Sequence, residues 1–124
     1  MTITVIALVA AAAIAAPAMV HAPGEDTAME AEPARRPAPA RSGHSKTNGV
    51  NYYYEIYGEG EPLLLLHGGL GSIGMFGPVL PMLAESRQVI GVDLHGHGRT
   101  PLSERTIGLV DMGDDMAVLL KALG

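Results

Sequence analysis

Four consecutive leucines, Leu63 to Leu66, run without a break into His67-Gly68-Gly69-Leu70-Gly71-Ser72. A run this short is a strand rather than a helix, and one apolar on both faces belongs inside a parallel sheet. The glycines end the strand and let the backbone turn with φ > 0 or approach a ligand closely. A second unit of the same kind follows, in which Gln88 to Val92 leads into Asp93-Leu94-His95-Gly96-His97-Gly98-Arg99-Thr100. Two such strands, each ending in a glycine-rich loop, are how an open α/β sheet builds a ligand crevice at its carboxyl edge.

The neighbouring patterns agree. Asn51 to Tyr57 alternates Tyr52, Tyr54 and Ile56 with Tyr53, Glu55 and Tyr57, which predicts a strand. Gly58 to Pro62 is a turn. Phe76, Val79, Leu80 and Leu83 share one helical face and predict a crossover helix over about residues 74–84, kinked or shortened by Pro78 and Pro81. Leu109, Met112, Met116, Leu119, Leu120 and Leu123 predict a second helix. Asp111, Asp114 and Asp115 lie early in it and Lys121 late, as the macrodipole favours, with Gly124 as its C′ residue. The order β-β-α-β-α places the chain in the α/β class.

The first half of the 124 residues reads differently. Ile3 to Ala16 is apolar apart from Thr4, Pro17 interrupts it, and Val20-His21-Ala22 puts small residues at a cleavage point. Residues 1–22 are expected to be a signal peptide, with a periplasmic or secreted destination. The n-region lacks Lys and Arg, so an uncleaved anchor and a misassigned start remain alternatives, although a span needs about 20 apolar residues. After cleavage no stable membrane span is expected. Residues 23–48 are rich in Ala and Pro and poor in large apolar side chains, which predicts a disordered linker. Arg35, Arg36 and Arg41 could form a basic contact, but nearby acids cancel them and a solvated tether is the expectation. The remaining segment, 49–124, carries nine acids and four bases, and so accounts for the whole net charge of −5. Without a basic stripe it is a poor nucleic-acid binder. The chain contains no cysteine, which excludes disulfides, thiolate metal sites and a thiol nucleophile.

Consecutive N–H groups in the loop after Leu66 can point at one spot beyond the sheet edge and stabilise a developing oxyanion. A tight strand-to-helix turn needing glycine explains the same residues. The tyrosine-rich strand, Leu-Leu-Leu-Leu-His-Gly-Gly-Leu-Gly-Ser and Val-Asp-Leu-His-Gly-His-Gly-Arg-Thr, in this order, resemble the α/β-hydrolase fold family over residues 49–124. The resemblance implies the N-terminal part of a mostly parallel hydrolase sheet, ending before the nucleophile elbow. It implies hydrolysis of an ester, amide or similar small-molecule bond through a Ser nucleophile, with no cofactor. The backbone N–H of Gly69 would be the first oxyanion donor, with Leu70 as a pocket-lining or register alternative. His67 and Gly68 would shape the loop and border the substrate, and Phe76 would pack against it.

Three further readings are open to test. Asp93 follows a strand like a triad acid, but the resemblance assigns it to organising its own loop, with Arg99 as ion-pair partner and Thr100 capping the turn. Ser72 lies in Gly71-Ser72-Ile73-Gly74 rather than Gly-x-Ser-x-Gly, and is expected to begin or cap the crossover helix. His67, His95 and His97 suggest a mononuclear zinc hydrolase, yet the further ligand run is missing and no metal is expected. No Gly-x-Ser-x-Gly follows Ser72, so the sequence predicts a hydrolase scaffold with its triad absent, or else a noncatalytic remnant or binding module. It also predicts a bare, aggregation-prone edge at Leu63 to Leu66, and hence an unstable, inactive 124-residue chain.

Overall fold

The computed structural model describes residues 3–7 and 36–124. Five strands form one sheet: β1 (Thr4–Ala7), β2 (Arg41–Thr47), β3 (Val50–Tyr57), β4 (Glu61–Leu66) and β5 (Arg87–Asp93), in the order β1-β4-β5-β3-β2. Pairing is parallel between β1 and β4 and between β4 and β5, with Leu63 against Val89 and Leu66 against Val92. It is antiparallel between β3 and β5 and between β2 and β3. The sheet is therefore mixed, with its parallel part centred on the two strands that carry the glycine loops.

The period-2 alternation sorts side chains onto two cores. Tyr52, Tyr54, Ile56, Leu64, Ile90 and Val92 face α2 (Leu109–Leu123) and its Met116 and Leu119. Tyr57, Leu63, Leu65 and Val89 face a 3₁₀ turn (Ile73–Phe76) and α1 (Val79–Ala84), through Ile73, Phe76 and Leu80. Burying one such leucine contributes about 1.5–3 kcal/mol. The predicted crossover helix over 74–84 is real but split, because Gly77 turns at φ 23° and Pro78 starts a new helix rather than continuing the old one. Gly58 is the other residue that backbone geometry demands. Its φ is 64°, and a Cβ there would lie 2.2 Å from the carbonyl oxygen of Ala84.

Two expectations are corrected. The linker assigned to 23–48 is ordered at its carboxyl end: Arg41–Thr47 is strand β2, joined to β3 by Asn48-Gly49, both with positive φ (47° and 87°). Asn-Gly is the pair that favours a two-residue hairpin, whose twist matches its strands. Two basic residues of that stretch, Arg36 and Arg41, dock on the molecule itself. Arg36 pairs with the carboxylate of Glu55 and donates to the Tyr57 hydroxyl at 3.1 Å, while the Arg41 guanidinium lies 5.7 Å from the Tyr54 ring centre. The second correction concerns the edge of the sheet. Leu63–Leu66 is not bare, because Thr4–Ala7 pairs with it in parallel, residue for residue. The rest of the expected signal peptide and linker, residues 1–2 and 8–35, lies outside the described residues. No helix among the described residues is long and apolar enough to cross a membrane.

Candidate active-site loops

Leu66 and Asp93 end adjacent parallel strands, so the loops that follow them share the carboxyl edge of the sheet. In the first loop the His67 ring is turned inward and is 5% exposed. Its Nε2 accepts the Leu94 N–H at 2.9 Å, which leaves Nδ1 as the protonated nitrogen, donating to the Gly68 carbonyl at 2.7 Å. The ring thus ties the β4 loop to the β5 loop. Both nitrogens are used, and neither is left for a substrate. Gly68 O also accepts the Gly71 N–H at 3.2 Å, closing a tight turn around Gly69 and Leu70.

The turn differs from the expected one in a single respect. The left-handed residue is Leu70, at φ 62°, and neither Gly68 nor Gly69 has positive φ. The loop needs glycine for access rather than for φ: a Cβ at Gly68 or Gly69 meets nothing within 4 Å, so both backbones face open space. Gly71 is the crowded one, with Met75 Sδ 2.6 Å from where its Cβ would sit. Among the described residues no hydrogen bond occupies the N–H of Gly69 or of Leu70. Leu70 itself is 99% exposed. A leucine with positive φ and no packing stores backbone strain of about 1–3 kcal/mol. Leu70→Gly is therefore expected to stabilise the fold by about 1 kcal/mol, after allowing for the extra entropy of unfolded glycine. Urea denaturation checks this, and a loss of stability would show that Leu70 makes a contact that holds the loop.

Asp93 is fully buried and joins the two loops a second time. Oδ1 accepts the Ile73 N–H at 2.7 Å, at the start of the 3₁₀ turn. Oδ2 accepts the Arg99 backbone N–H at 2.9 Å and the Arg99 Nε–H at 3.0 Å. Thr100 Oγ1 donates to the Asp93 carbonyl at 2.6 Å and accepts the Tyr53 N–H at 2.8 Å. Both oxygens of the carboxylate are engaged inside the scaffold, the organising role that the resemblance implied. Gly98 is required beneath it, with φ 52° and a Cβ position 2.4 Å from Asp93 Oδ2. Ser72 precedes the 3₁₀ turn as expected, but its backbone carbonyl does the capping, accepting the Met75 N–H at 3.0 Å, and its hydroxyl makes no cap bond. Phe76 is buried against Leu63, Leu65 and Leu80.

Behind the second loop lies a charge cluster centred on buried Glu55. Its carboxylate accepts from Arg99 at 2.7 Å, from the Tyr57 hydroxyl at 2.7 Å, from the Tyr53 hydroxyl at 3.1 Å, and from Arg36. Burial works against the Arg99 charge, but its hydrogen bonds to Asp93 and Glu55 outweigh that and hold its pKa above the ordinary arginine value. Burial and the bond to Glu55 push the Tyr57 hydroxyl up to about 12. The guanidinium of Arg99 lies 3.9 Å from the Tyr53 ring centre.

The three histidines do not converge on a metal position. The His67 and His97 rings stack obliquely at 5.3 Å, and His97 Nδ1 bonds to the His95 carbonyl at 2.9 Å. His95 is buried and points elsewhere, with Nε2 accepting the Ser103 N–H at 3.0 Å. Burial pushes its pKa down, helped by Arg105. No group of three metal-binding side chains occurs among the described residues. A cavity of about 240 Å³ opens at the far end of the strands, between Ile56, Pro62, Ile90, Leu120 and Leu123, away from both loops.

Comparison with known proteins matches this arrangement to one family. A model of the alpha/beta hydrolase fold matches residues 61–124. A protein assigned as the carbamate hydrolase RutD of Azorhizobium caulinodans is 43% identical over 78 residues, spanning 60% of this chain and 28% of its own length. The pimeloyl-[acyl-carrier protein] methyl ester esterase of Legionella pneumophila (strain Corby) is 38% identical over 55 residues, or 44% of this chain and 23% of the esterase. Among solved structures, the epoxide hydrolase CorEH without ligand superposes with a TM-score of 0.64 at 33% identity, over 68% of this chain and 30% of that one. The chain thus spans about a quarter of the length of the curated relatives it matches. The paired glycine loops, the strands that carry them and the match over 61–124 converge: the chain belongs to the α/β-hydrolase fold family.

Proposed function

We propose that this segment serves a serine hydrolase acting on an ester, amide or similar small-molecule bond, with the Gly69 N–H as one oxyanion donor and the exposed Leu70 beside it as a substrate-facing wall. The observation that carries this reading is the unoccupied N–H of Gly69, held in a turn that His67 and Asp93 brace from below. A donor fixed in advance loses little on meeting the oxyanion, and one such donor is worth about 10²–10³ in kcat. The names of the matched relatives, a carbamate hydrolase and a methyl ester esterase, agree with acyl-type chemistry. No cofactor or metal enters this scheme. The apolar segment within residues 1–22 supports a periplasmic or secreted setting.

The test uses a polypeptide that carries this segment together with a Gly-x-Ser-x-Gly elbow, assayed with p-nitrophenyl acetate. Gly69→Pro deletes the donor and should lower kcat about 10²–10³-fold with little change in KM. Unchanged kcat in a folded Gly69→Pro protein would sink the assignment.

A further inference from the structure

The segment that leads into β2 is held against the base of the glycine loops by one side chain. Arg36 precedes Pro37-Ala38-Pro39, and a residue before proline is confined to extended backbone. The two prolines stiffen the approach, and the Ala40 N–H bonds to the Ile56 carbonyl at 2.8 Å, so Arg36 arrives beside β3 with little freedom. Its guanidinium donates from Nη2 to Glu55 and from Nε to the Tyr57 hydroxyl at 3.1 Å. The remaining Nη1 lies 3.7 Å from where a Cβ on Gly74 would sit, against the 3₁₀ turn. The first N–H of that same turn, from Ile73, bonds to Asp93. The contacts therefore close a ring, from the 3₁₀ turn through Arg36, Glu55, Arg99 and Asp93 back to Ile73.

Charge explains why the ring needs both arginines. Glu55 and Asp93 are both buried carboxylates. Arg99 alone touches the two, at 2.7 and 3.0 Å, one positive charge against two negative ones. Arg36 supplies the second positive charge and makes the group neutral. A buried charge left without compensation is costly, so without Arg36 the Arg99 fork would be drawn toward Glu55 at the expense of Asp93. We propose that Arg36 is a positioning residue for the oxyanion loop: by neutralising Glu55 it leaves Arg99 to hold Asp93, and so fixes the Ile73 end of the loop that carries the Gly69 N–H. The inference rests on the reading of Gly69 as an oxyanion donor. A stretch expected to be a solvated tether thereby takes part in shaping the site.

Arg36→Ala is made in two proteins: the full chain, for hydrogen exchange, and the elbow-carrying polypeptide, for p-nitrophenyl acetate kinetics. In the full chain the Ile73 and Arg99 amides should exchange about tenfold faster, while those paired between β4 and β5 keep their protection. In the second protein kcat should fall about tenfold at nearly constant KM. Arg36→Lys, which keeps the charge but not the fork, should restore most of both. Glu55→Gln removes the charge that Arg36 offsets, so adding Arg36→Ala to it should change exchange by less than about twofold. Wild-type exchange at Ile73 and Arg99 in Arg36→Ala overturns the proposal, as does a uniform rise in exchange that Arg36→Lys does not reverse, the mark of simple destabilisation. If Arg36→Ala loses its near-ultraviolet tyrosine signal, Arg36→Gln, which keeps hydrogen-bond donors without the charge, is judged by the same criteria. Unchanged kcat in Gly69→Pro refutes the oxyanion reading by itself, whereas faster exchange at Ile73 and Arg99 still upholds the link from Arg36 to the loop. Unchanged kcat in Arg36→Ala beside an impaired Gly69→Pro overturns the positioning role.

Discussion

Asp93→Ala is expected to destabilise the fold severely. The carboxylate is fully buried and accepts three hydrogen bonds, two from backbone N–H groups and one from a guanidinium. Removing one partner of a charged network costs up to about 3–5 kcal/mol, here chiefly because the buried Ile73 N–H is left without an acceptor. Native domains hold about 5–15 kcal/mol in reserve, so the loss is a large fraction of the total. Asp93→Asn, which keeps the volume and one acceptor oxygen, should cost less. Urea denaturation followed by circular dichroism separates the cases, and a loss below about 1 kcal/mol for Asp93→Ala would contradict the role assigned to it. The first amides to lose exchange protection should be those of Ile73 and Arg99, one in each glycine loop.

Asp115→Ala should be comparably severe and should also change the acid limb of stability. Asp115 is buried on α2 and accepts the Tyr52 hydroxyl at 2.6 Å, Asn48 Nδ2 at 2.8 Å, and Arg105. It therefore fastens the helix to β3, the hairpin turn and the loop before α2 in one place. Burial favours the neutral acid, but the bonds from Arg105, Tyr52 and Asn48 prevail and hold its pKa below the ordinary aspartate value. A carboxyl with a lowered folded pKa stabilises the fold at pH values above its unfolded pKa of about 3.9. That contribution fades as the pH falls toward the folded value, because in this window the unfolded chain binds more protons. Wild-type stability should thus fall between about pH 5 and the folded pKa, and the Asp115→Asn variant should lack this component of the slope. Equal acid slopes for the two proteins would show that another carboxylate governs acid unfolding.

Much of this architecture was legible because short, continuous apolar runs end in glycine-rich loops. Leu63 to Leu66 and Gln88 to Val92 could only be buried strands, and their glycine loops had to fall at the carboxyl edge. The organising role of Asp93 was implied by the family resemblance, with Arg99 and Thr100 as its partners. The β2–β3 hairpin was misread because residues 41–47 are polar and their strand owes its order to backbone pairing and the Asn48-Gly49 turn. The turn dipeptide was the available signal. Asp115 was read as a favourable charge near a helix start, since nothing in a linear pattern shows that Tyr52, Asn48 and Arg105 converge on it. The φ of Leu70 escaped notice for a related reason. Glycines flank it, and composition cannot show which residue of a turn takes the left-handed position.

The Asn48-Gly49 hairpin also bears on the order in which the chain acquires structure. Its two strands are joined by a two-residue turn, so Thr47 meets Val50 with almost no loop to close, whereas β1 must find Leu63–Leu66 across nearly half the polypeptide. Hairpins form in about 1–10 μs, and pairings distant in sequence come later. The hairpin is local, and both of its strands precede the leucine strand in the chain. β5 can then add to β3 and bring β4 with it, so the polar edge of the sheet is built first and the apolar edge last.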